Sequence, residues 1–244
     1  MPSGSKIWIL ISDNHGNMDP ATFQKLLDEM PMVDRNKISK YRMPVDAQAS
    51  LLGRLMLKEG LNKLNGMHDV LSEIQLTSFN RPYIPGCDWD FNISHSGKLV
   101  VCAISETTVG IDIELKREIS IADFKASFTA KEFQTIENDA DKLSRFYSYW
   151  VMKESVMKAD GRGMLIPLPS IEIDHNLNRS IVGGQKWFFS SVNVHPDYCC
   201  CLATENPVQS TSVQLIKYDV GCELILIEND LCRKQKNIVN ETVS

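Results

Sequence analysis

Ile7-Trp8-Ile9-Leu10-Ile11 is an unbroken apolar run that Ser12, Asp13 and Asn14 end at once, which predicts a short buried first strand. Asp19-Pro20 then opens a helix through about Met30, with the proline at an early helical position where its missing N–H costs little. A polar stretch runs from Asp34 to Arg42. Asp46 is placed to cap a second helix, Ala47 to about Asn65, in which Leu51, Leu52, Leu55, Met56 and Leu61 recur at helical spacing. The stretch from Ile74 to Phe79 reads as a short strand, and that from Asn80 to Gly86 as turn and extended loop. Phe91 to Gly97 leads into a strong apolar run, Leu99 to Ile104. After the turn Glu106-Thr107-Thr108 comes a strand from Val109 to Leu115, and the two strands read as a hairpin.

Residues 120 to 160 are helical in pattern, with Thr129 as an N-cap and Glu132 at capping-box spacing from it. Asp160-Gly161-Arg162-Gly163 ends that region, with glycine available for a left-handed cap. From Ile171 the pattern returns to strands, including Ser190 to Val194 and Tyr198 to Thr204. The stretch from Asn92 to Ile104 is echoed by that from Asn193 to Ala203, which points to a pseudo-duplicated α+β chain with a seam near residues 104–109.

Composition narrows the class without choosing a function. The 244 residues are 43% hydrophobic and 23% charged, which is ordinary for a globular protein. A net charge of -5 argues against general nucleic-acid binding. Charge is uneven, however: Arg35, Lys37, Lys40, Arg42, Arg54, Lys58 and Lys63 face only Asp34, Asp46 and Glu59 between Pro31 and Gly66. That segment reads either as a receiver for an anionic ligand or as a solvated helix face, and charge alone favours the face. The seven cysteines show no metal spacing; Cys102 and Cys201 lie in apolar strand-like runs and read as small buried hydrophobes, and an odd count without a framework fits a reducing compartment. No apolar run approaches a membrane span or a signal-peptide core, so the expectation is a cytoplasmic protein.

Two strings carry the candidate chemistry. In Val109-Gly110-Ile111-Asp112-Ile113-Glu114 the two acids are two residues apart, so on a strand they share a face. In Trp150-Val151-Met152-Lys153-Glu154-Ser155-Val156-Met157-Lys158, Glu154 and Lys158 are one helical turn apart. Three carboxylates and an ammonium at one place suggest a divalent metal and a phosphate substrate. Each string also has a plainer reading. The acids fit the solvent face of an edge strand, Glu154 and Lys158 a surface ion pair, Gly161-Arg162-Gly163 a turn, and His95 an ordinary loop histidine.

Taken in order, the strings resemble the surfactin-type (Sfp-type) 4′-phosphopantetheinyl transferases. That family has a G-I-D-[IV]-E strand, then W-x-x-K-E-[SA]-x-x-K about forty residues later, then G-[KR]-G. The upstream [FN]-x-S-H-S motif is present as Phe91 to Ser96. The resemblance runs from about Ile7 to Thr204 and includes Asp46-Ala47 through Leu51-Leu52-Gly53. It implies an α+β fold of two pseudo-symmetric α/β halves, each with a small mostly antiparallel sheet packed on helices. The halves would be residues 1–106 and 107–206, the second carrying the metal site, with an extension of unassigned role at 207–244.

The implied reaction moves the 4′-phosphopantetheine arm of coenzyme A to a serine of an apo acyl or peptidyl carrier protein and releases 3′,5′-ADP. The implied cofactor is Mg²⁺, with Mn²⁺ an alternative, held around Asp112, Glu114 and Glu154. Glu154 doubles as candidate general base for the serine, and Lys158 contacts the pyrophosphate and assists the leaving phosphate. His95, with Ser94 beside it, holds a phosphate of coenzyme A. Arg81, before Pro82, lies near the adenine or its phosphates, and Lys37 binds the 3′-phosphate. The two-half length implies a working monomer.

Two positions depart from the family pattern. Ala49 stands where a basic residue commonly precedes [ST]-L-L-G, and Asp34 where another is frequent. Partner recognition is expected around residues 115–130. There Ile119, Ile121, Phe124 and Phe128 are core by default or a small patch for a carrier helix, with Lys116, Arg117 and Lys125 assisting docking. Competing readings are another metal-dependent phosphate-ester enzyme, and a coenzyme A or carrier-protein binding module without chemistry.

Overall fold

The computed structural model describes residues 6–15, 18–209 and 212–227. The first strand is β1 (Ile7–Asp13). It is followed by α1 (Pro20–Asp28), α2 (Met32–Ile38), α3 (Pro44–Asn65), α4 (Val70–Glu73), the short pair β2 (Gln75–Leu76) and β3 (Pro82–Tyr83), and the hairpin β4 (Asp90–Ser96) and β5 (Leu99–Ser105). Then come β6 (Val109–Leu115), α5 (Ala130–Glu137), α6 (Lys142–Asp160), β7 (Arg179–Val182), β8 (Gln185–Ser191), β9 (Tyr198–Thr204), β10 (Val213–Lys217) and β11 (Ile225–Ile227). The fold is α+β.

Two sheets carry the architecture. One has the order β11-β10-β1-β5-β4 and the other β6-β9-β8-β7. In each, a central strand runs antiparallel between two partners: β5 between β1 and β4, and β9 between β6 and β8. These central strands hold the apolar parts of the sequence echo. A long helix lies on each sheet, α3 on the first and α6 on the second. β10, from beyond residue 206, pairs in parallel with β1, so the chain returns to its first sheet. Residues 228–244 of the expected extension lie outside the described residues.

Alternation along the strands shows why they read as continuous apolar runs. In β1 and β5, Leu10, Val100, Cys102 and Ile104 face α3, whereas Ile7, Ile9, Ile11, Val101 and Ala103 face a core shared with the second sheet. In β6 and β9, Val109, Ile111, Ile113, Cys200 and Leu202 enter that shared core, while Cys201 and Ala203 face α6. Strands covered on both faces have no solvent side to mark with polar residues. Cys102 and Cys201 behave as buried hydrophobes, and burial pushes their thiols up to about 12.

The expected hairpin between Leu99–Ile104 and Val109–Leu115 does not form. Both edges of β5 are taken, by β1 and β4, and the turn after it carries the chain into the other sheet, where β6 pairs with β9. The polar stretch at 34–42 overlaps α2, which is held by burial of Ile38 and by a part-buried ion pair from Asp34 to Arg54 of α3 at 2.9 Å. α3 begins at Pro44 rather than at an Asp46 cap; the proline takes the first turn and Asp46 sits inside it, where the helix dipole favours an acid. Only Gln75–Leu76 of the strand expected from Ile74 to Phe79 forms, paired with Pro82–Tyr83 inside the expected loop. The α5 capping box and the left-handed Gly161 cap of α6, with φ of 83°, are as expected.

Gly110 sets how closely α6 lies on β6. A Cβ there would collide with the Ser155 carbonyl and the Ala159 amide, both backbone atoms of the helix. Gly110→Ala is therefore expected to cost about 1–3 kcal/mol through helix displacement, read as a lower midpoint in chemical denaturation.

Candidate active site

The acids of β6 do not face solvent. Asp112 and Glu114 point to the same side as Gly110, towards α6, and Asp112 is 3% exposed. From α6, Lys158 reaches across to place its Nζ 2.6 Å from Asp112 Oδ1, 2.9 Å from Ser94 Oγ and 3.3 Å from the Ile111 carbonyl. The solvent-face and surface-pair readings fail together, because each string is the other's cover. Ser94 Oγ donates to Asp112 Oδ1 at 2.9 Å, and Ser96 Oγ donates to Glu114 Oε2 at 2.7 Å. Glu154, one turn before Lys158, makes no hydrogen bond or ion pair among the described residues, yet it feels both strand acids.

Electrostatics mark this as one cluster. Burial pushes the Glu154 carboxyl above the usual range; Asp112 and Glu114 push it further, and Lys158 opposes them. Burial likewise raises Glu114, against the hydrogen bond from Ser96. A carboxyl with a higher pKa in the folded state binds more protons folded than unfolded. Its contribution to stability is therefore present below the unfolded value and is lost as pH rises through the folded value. In cation-free buffer, Glu154→Gln is expected to melt above the unsubstituted protein at about pH 7 and level with it at about pH 4, where the glutamate is itself neutral.

The residues suit a divalent cation chemically. Among the described residues Asp112 Oδ2 is buried with no hydrogen-bond partner, and the charge of Asp112 raises the pKa of both further carboxylates, Glu114 and Glu154. Such an orphaned anionic oxygen is what a hard cation satisfies. Among the described residues no three His, Cys, Asp or Glu side chains converge closely enough to hold a metal as they stand, and Lys158 occupies Asp112 Oδ1.

The other predicted site residues are placed as follows. His95 follows Ser94 on β4 but is exposed on the opposite side, within the field of Asp46 in the first turn of α3. Partial desolvation lowers its pKa, with Asp46 and Asp112 opposing and Lys158 adding to the shift. Arg81 is largely committed within the protein. It donates to both oxygens of Asp90 and to the carbonyls of Lys158 and Val109, and its stem packs where a Gly161 side chain would be. Lys37 is exposed on α2, with no hydrogen bond or ion pair to the cluster.

The two departures from the family pattern have structural explanations. Ala49 is 1% exposed in the α3 core, and Asp34 is spent on Arg54. Phe128 is buried in a core with Phe146 and Tyr149, and Ile119, Ile121 and Phe124 pack against that core partly buried.

Sequence reasoning gave no role to Asp90, Asn92 and Ser96, or to Lys153. The signal for the first three was present: with Ser94 they are short polar side chains at every second position of one strand.

Comparison with known proteins shows the family. A model of the 4′-phosphopantetheinyl transferase superfamily matches residues 108–203, and a 4′-phosphopantetheinyl transferase N-terminal model matches residues 17–107. The chain is 30% identical over 216 residues to the 4′-phosphopantetheinyl transferase gsp of Aneurinibacillus migulanus, covering 86% of this chain and 91% of that one. It is 26% identical over 193 residues to the 4′-phosphopantetheinyl transferase Sfp of Bacillus subtilis (strain 168), covering 76% and 86%. It is also 30% identical over 221 residues to the L-aminoadipate-semialdehyde dehydrogenase-phosphopantetheinyl transferase of Rattus norvegicus, covering 77% and 71%. The chain belongs to the 4′-phosphopantetheinyl transferase superfamily. It is a transferase of the Sfp type, with coenzyme A as the donor and carrier-protein domains as the acceptors of that family.

Proposed function

We propose that the cluster between β6 and α6 is the phosphoryl-transfer centre. The observation that carries this is the Lys158 ammonium on Asp112 with, one turn away, a Glu154 carboxylate that has no partner among the described residues. Asp112, Glu114 and Glu154 are the residues that would hold Mg²⁺, or Mn²⁺ in its place. Bound there, the cation supplies charge neutralisation for the pyrophosphate. Glu154 accepts the proton of the carrier serine as the serine oxygen bonds to the β-phosphorus. A carboxylate beside a cation is a weak base, so this step depends on bringing the serine close and stabilising its developing oxyanion. The bond from that phosphorus to the bridging oxygen breaks, and 3′,5′-ADP leaves with the electron pair. Lys158 donates to the departing phosphate, exchanging its contact with Asp112 for one with substrate.

His95, exposed beside the first turn of α3, holds a coenzyme A phosphate, where the dipole of that helix adds to its pull. Lys37 lies in the basic entry segment and supplies a further charge. Ser94 and Arg81 act mainly by fixing the cluster and the end of α6, since that is where their hydrogen bonds go. The edge strands β4 and β6 meet within one chain and complete the cluster, which supports a working monomer of two halves, 1–106 and 107–206. Among the described residues no helix is long and apolar enough to cross a membrane; a cytoplasmic location is part of this reading.

The test combines purified protein, coenzyme A, Mg²⁺ and an apo carrier protein, followed by intact mass. A carrier that gains phosphopantetheine only when Mg²⁺ is present supports the reading. Hydrolysis of coenzyme A without transfer, or binding without either, overturns it.

A further inference from the structure

β4 and β6 are end strands of different sheets, yet they lie side by side without backbone pairing. Side chains take the place of the missing ladder. The Val109 N–H donates to Asp90 Oδ2 at 2.8 Å, Ile111 to Asn92 Oδ1 at 3.0 Å, Ile113 to Ser94 Oγ at 3.4 Å and Leu115 to Ser96 Oγ at 3.1 Å. Four alternate residues of one strand thus satisfy four alternate N–H groups of the other, which would otherwise be orphaned at a buried edge.

Two rungs extend further. A hydroxyl has one proton to donate, and once its lone pairs receive an N–H that proton is free to be aimed elsewhere. Ser94 turns it to Asp112 and Ser96 turns it to Glu114. The far end of the ladder is clamped to α6, because Asp90 also accepts from Arg81, which donates to the Lys158 carbonyl.

We infer that Ser96 is a positioning residue for the transfer reaction: from β4 it fixes the Glu114 carboxylate, while the ladder of Asp90, Asn92, Ser94 and Ser96 holds the acidic strand in the register that turns Asp112 and Glu114 towards α6. A one-residue slip of β6 would send both acids to the other face. Ser94 and Ser96 disfavour that slip, because it would carry Asp112 and Glu114 away from the two hydroxyls that donate to them. Ser96 touches no reacting atom; it acts through Glu114. The inference rests on the assignment of Glu114 to the cation site.

The experiment compares the full chain with Ser96→Ala and Ser96→Thr. It measures kcat, KM for coenzyme A, Mg²⁺ affinity of the free protein by calorimetry, and the melting point. Loss of a group that orients a metal-site carboxylate is expected to lower both kcat and Mg²⁺ affinity by about 10-fold or more. KM for coenzyme A should stay within about 2-fold, since the hydroxyl makes no contact with that substrate on this reading. Ser96→Thr keeps the hydroxyl and is expected to recover both values. Where Ser96→Ala fails to fold, Ser96→Cys, a weak donor of similar size, carries the same expectation. Wild-type kcat and Mg²⁺ affinity in Ser96→Ala overturn the inference, and so does a threonine variant as impaired as the alanine one. Failure of the underlying assignment looks different: the unsubstituted protein then binds no Mg²⁺, or transfers nothing to the carrier.

Discussion

Asp112→Ala is expected to lower phosphopantetheine transfer by about 10²–10³-fold while leaving the protein folded, through loss of a preorganised charge at the proposed reacting centre. Asp112 holds the Lys158 ammonium at 2.6 Å, accepts a hydrogen bond from Ser94 at 2.9 Å, and keeps its second oxygen buried without a partner among the described residues. Removing the carboxylate therefore strips the cluster of its central anion and leaves Lys158 with only Ser94 and the Ile111 carbonyl. The side chain of Lys158 is 28% exposed, so its charge can turn to water and the fold is spared. Initial transfer rates, read by intact mass beside a melting curve, check both halves of the expectation. A variant that keeps more than about a tenth of the rate would place the centre elsewhere.

The opposite result is expected one position before Glu154. Lys153→Met destabilises the protein by about 3–5 kcal/mol, because it leaves the Glu132 carboxylate buried without its cation. Lys153 is fully buried, with Nζ 2.9 Å from Glu132 Oε2, 3.0 Å from the Leu168 carbonyl and 2.6 Å from that of Ile171. Glu132 in turn accepts from the N–H groups of Thr129 and Ile173. One ion pair thus ties α6 to the start of α5 and to the chain entering β7. Burial draws the Lys153 pKa down and Glu132 holds it up, so the pair stays charged only while both members are present. The melting point is expected to fall by roughly 6–20 °C in a chain of this size. Lys153→Met with Glu132→Gln should recover part of the loss, since no charge then remains buried. A loss under about 1 kcal/mol in the single variant would mean that Glu132 finds water or another cation.

Lys153 and Glu154 are neighbours in one motif with opposite duties. The sequence reading assigned Glu154 and passed over Lys153, because helical spacing pairs residues along one face but does not say which face is covered. The same limit explains the acidic strand. Alternating Ile and acid correctly predicted that Asp112 and Glu114 share a face. It favoured solvent for that face, because the covering helix lies some forty residues further on. Arg81 was read as a ligand contact from its place before Pro82. Its four hydrogen bonds into β4, β6 and α6 join segments no local pattern connects. Ala49 and Asp34, departures when read against a motif, are a core position and one half of an ion pair.

The sequence by itself determined the first strand, the capping box at Thr129, the Gly161 stop, the echo between the two central strands, and the ordered motifs that name the family. Each depends on neighbours within a few residues or on matching strings, and such information is local. Only the tertiary structure decided that the strand from Val109 leaves the hairpin for a second sheet, that α6 roofs its acids, and that β4 holds it with side chains instead of backbone. Those outcomes follow from which sheet edges are already filled and which buried N–H groups still need an acceptor. That balance is settled only when the distant segments meet.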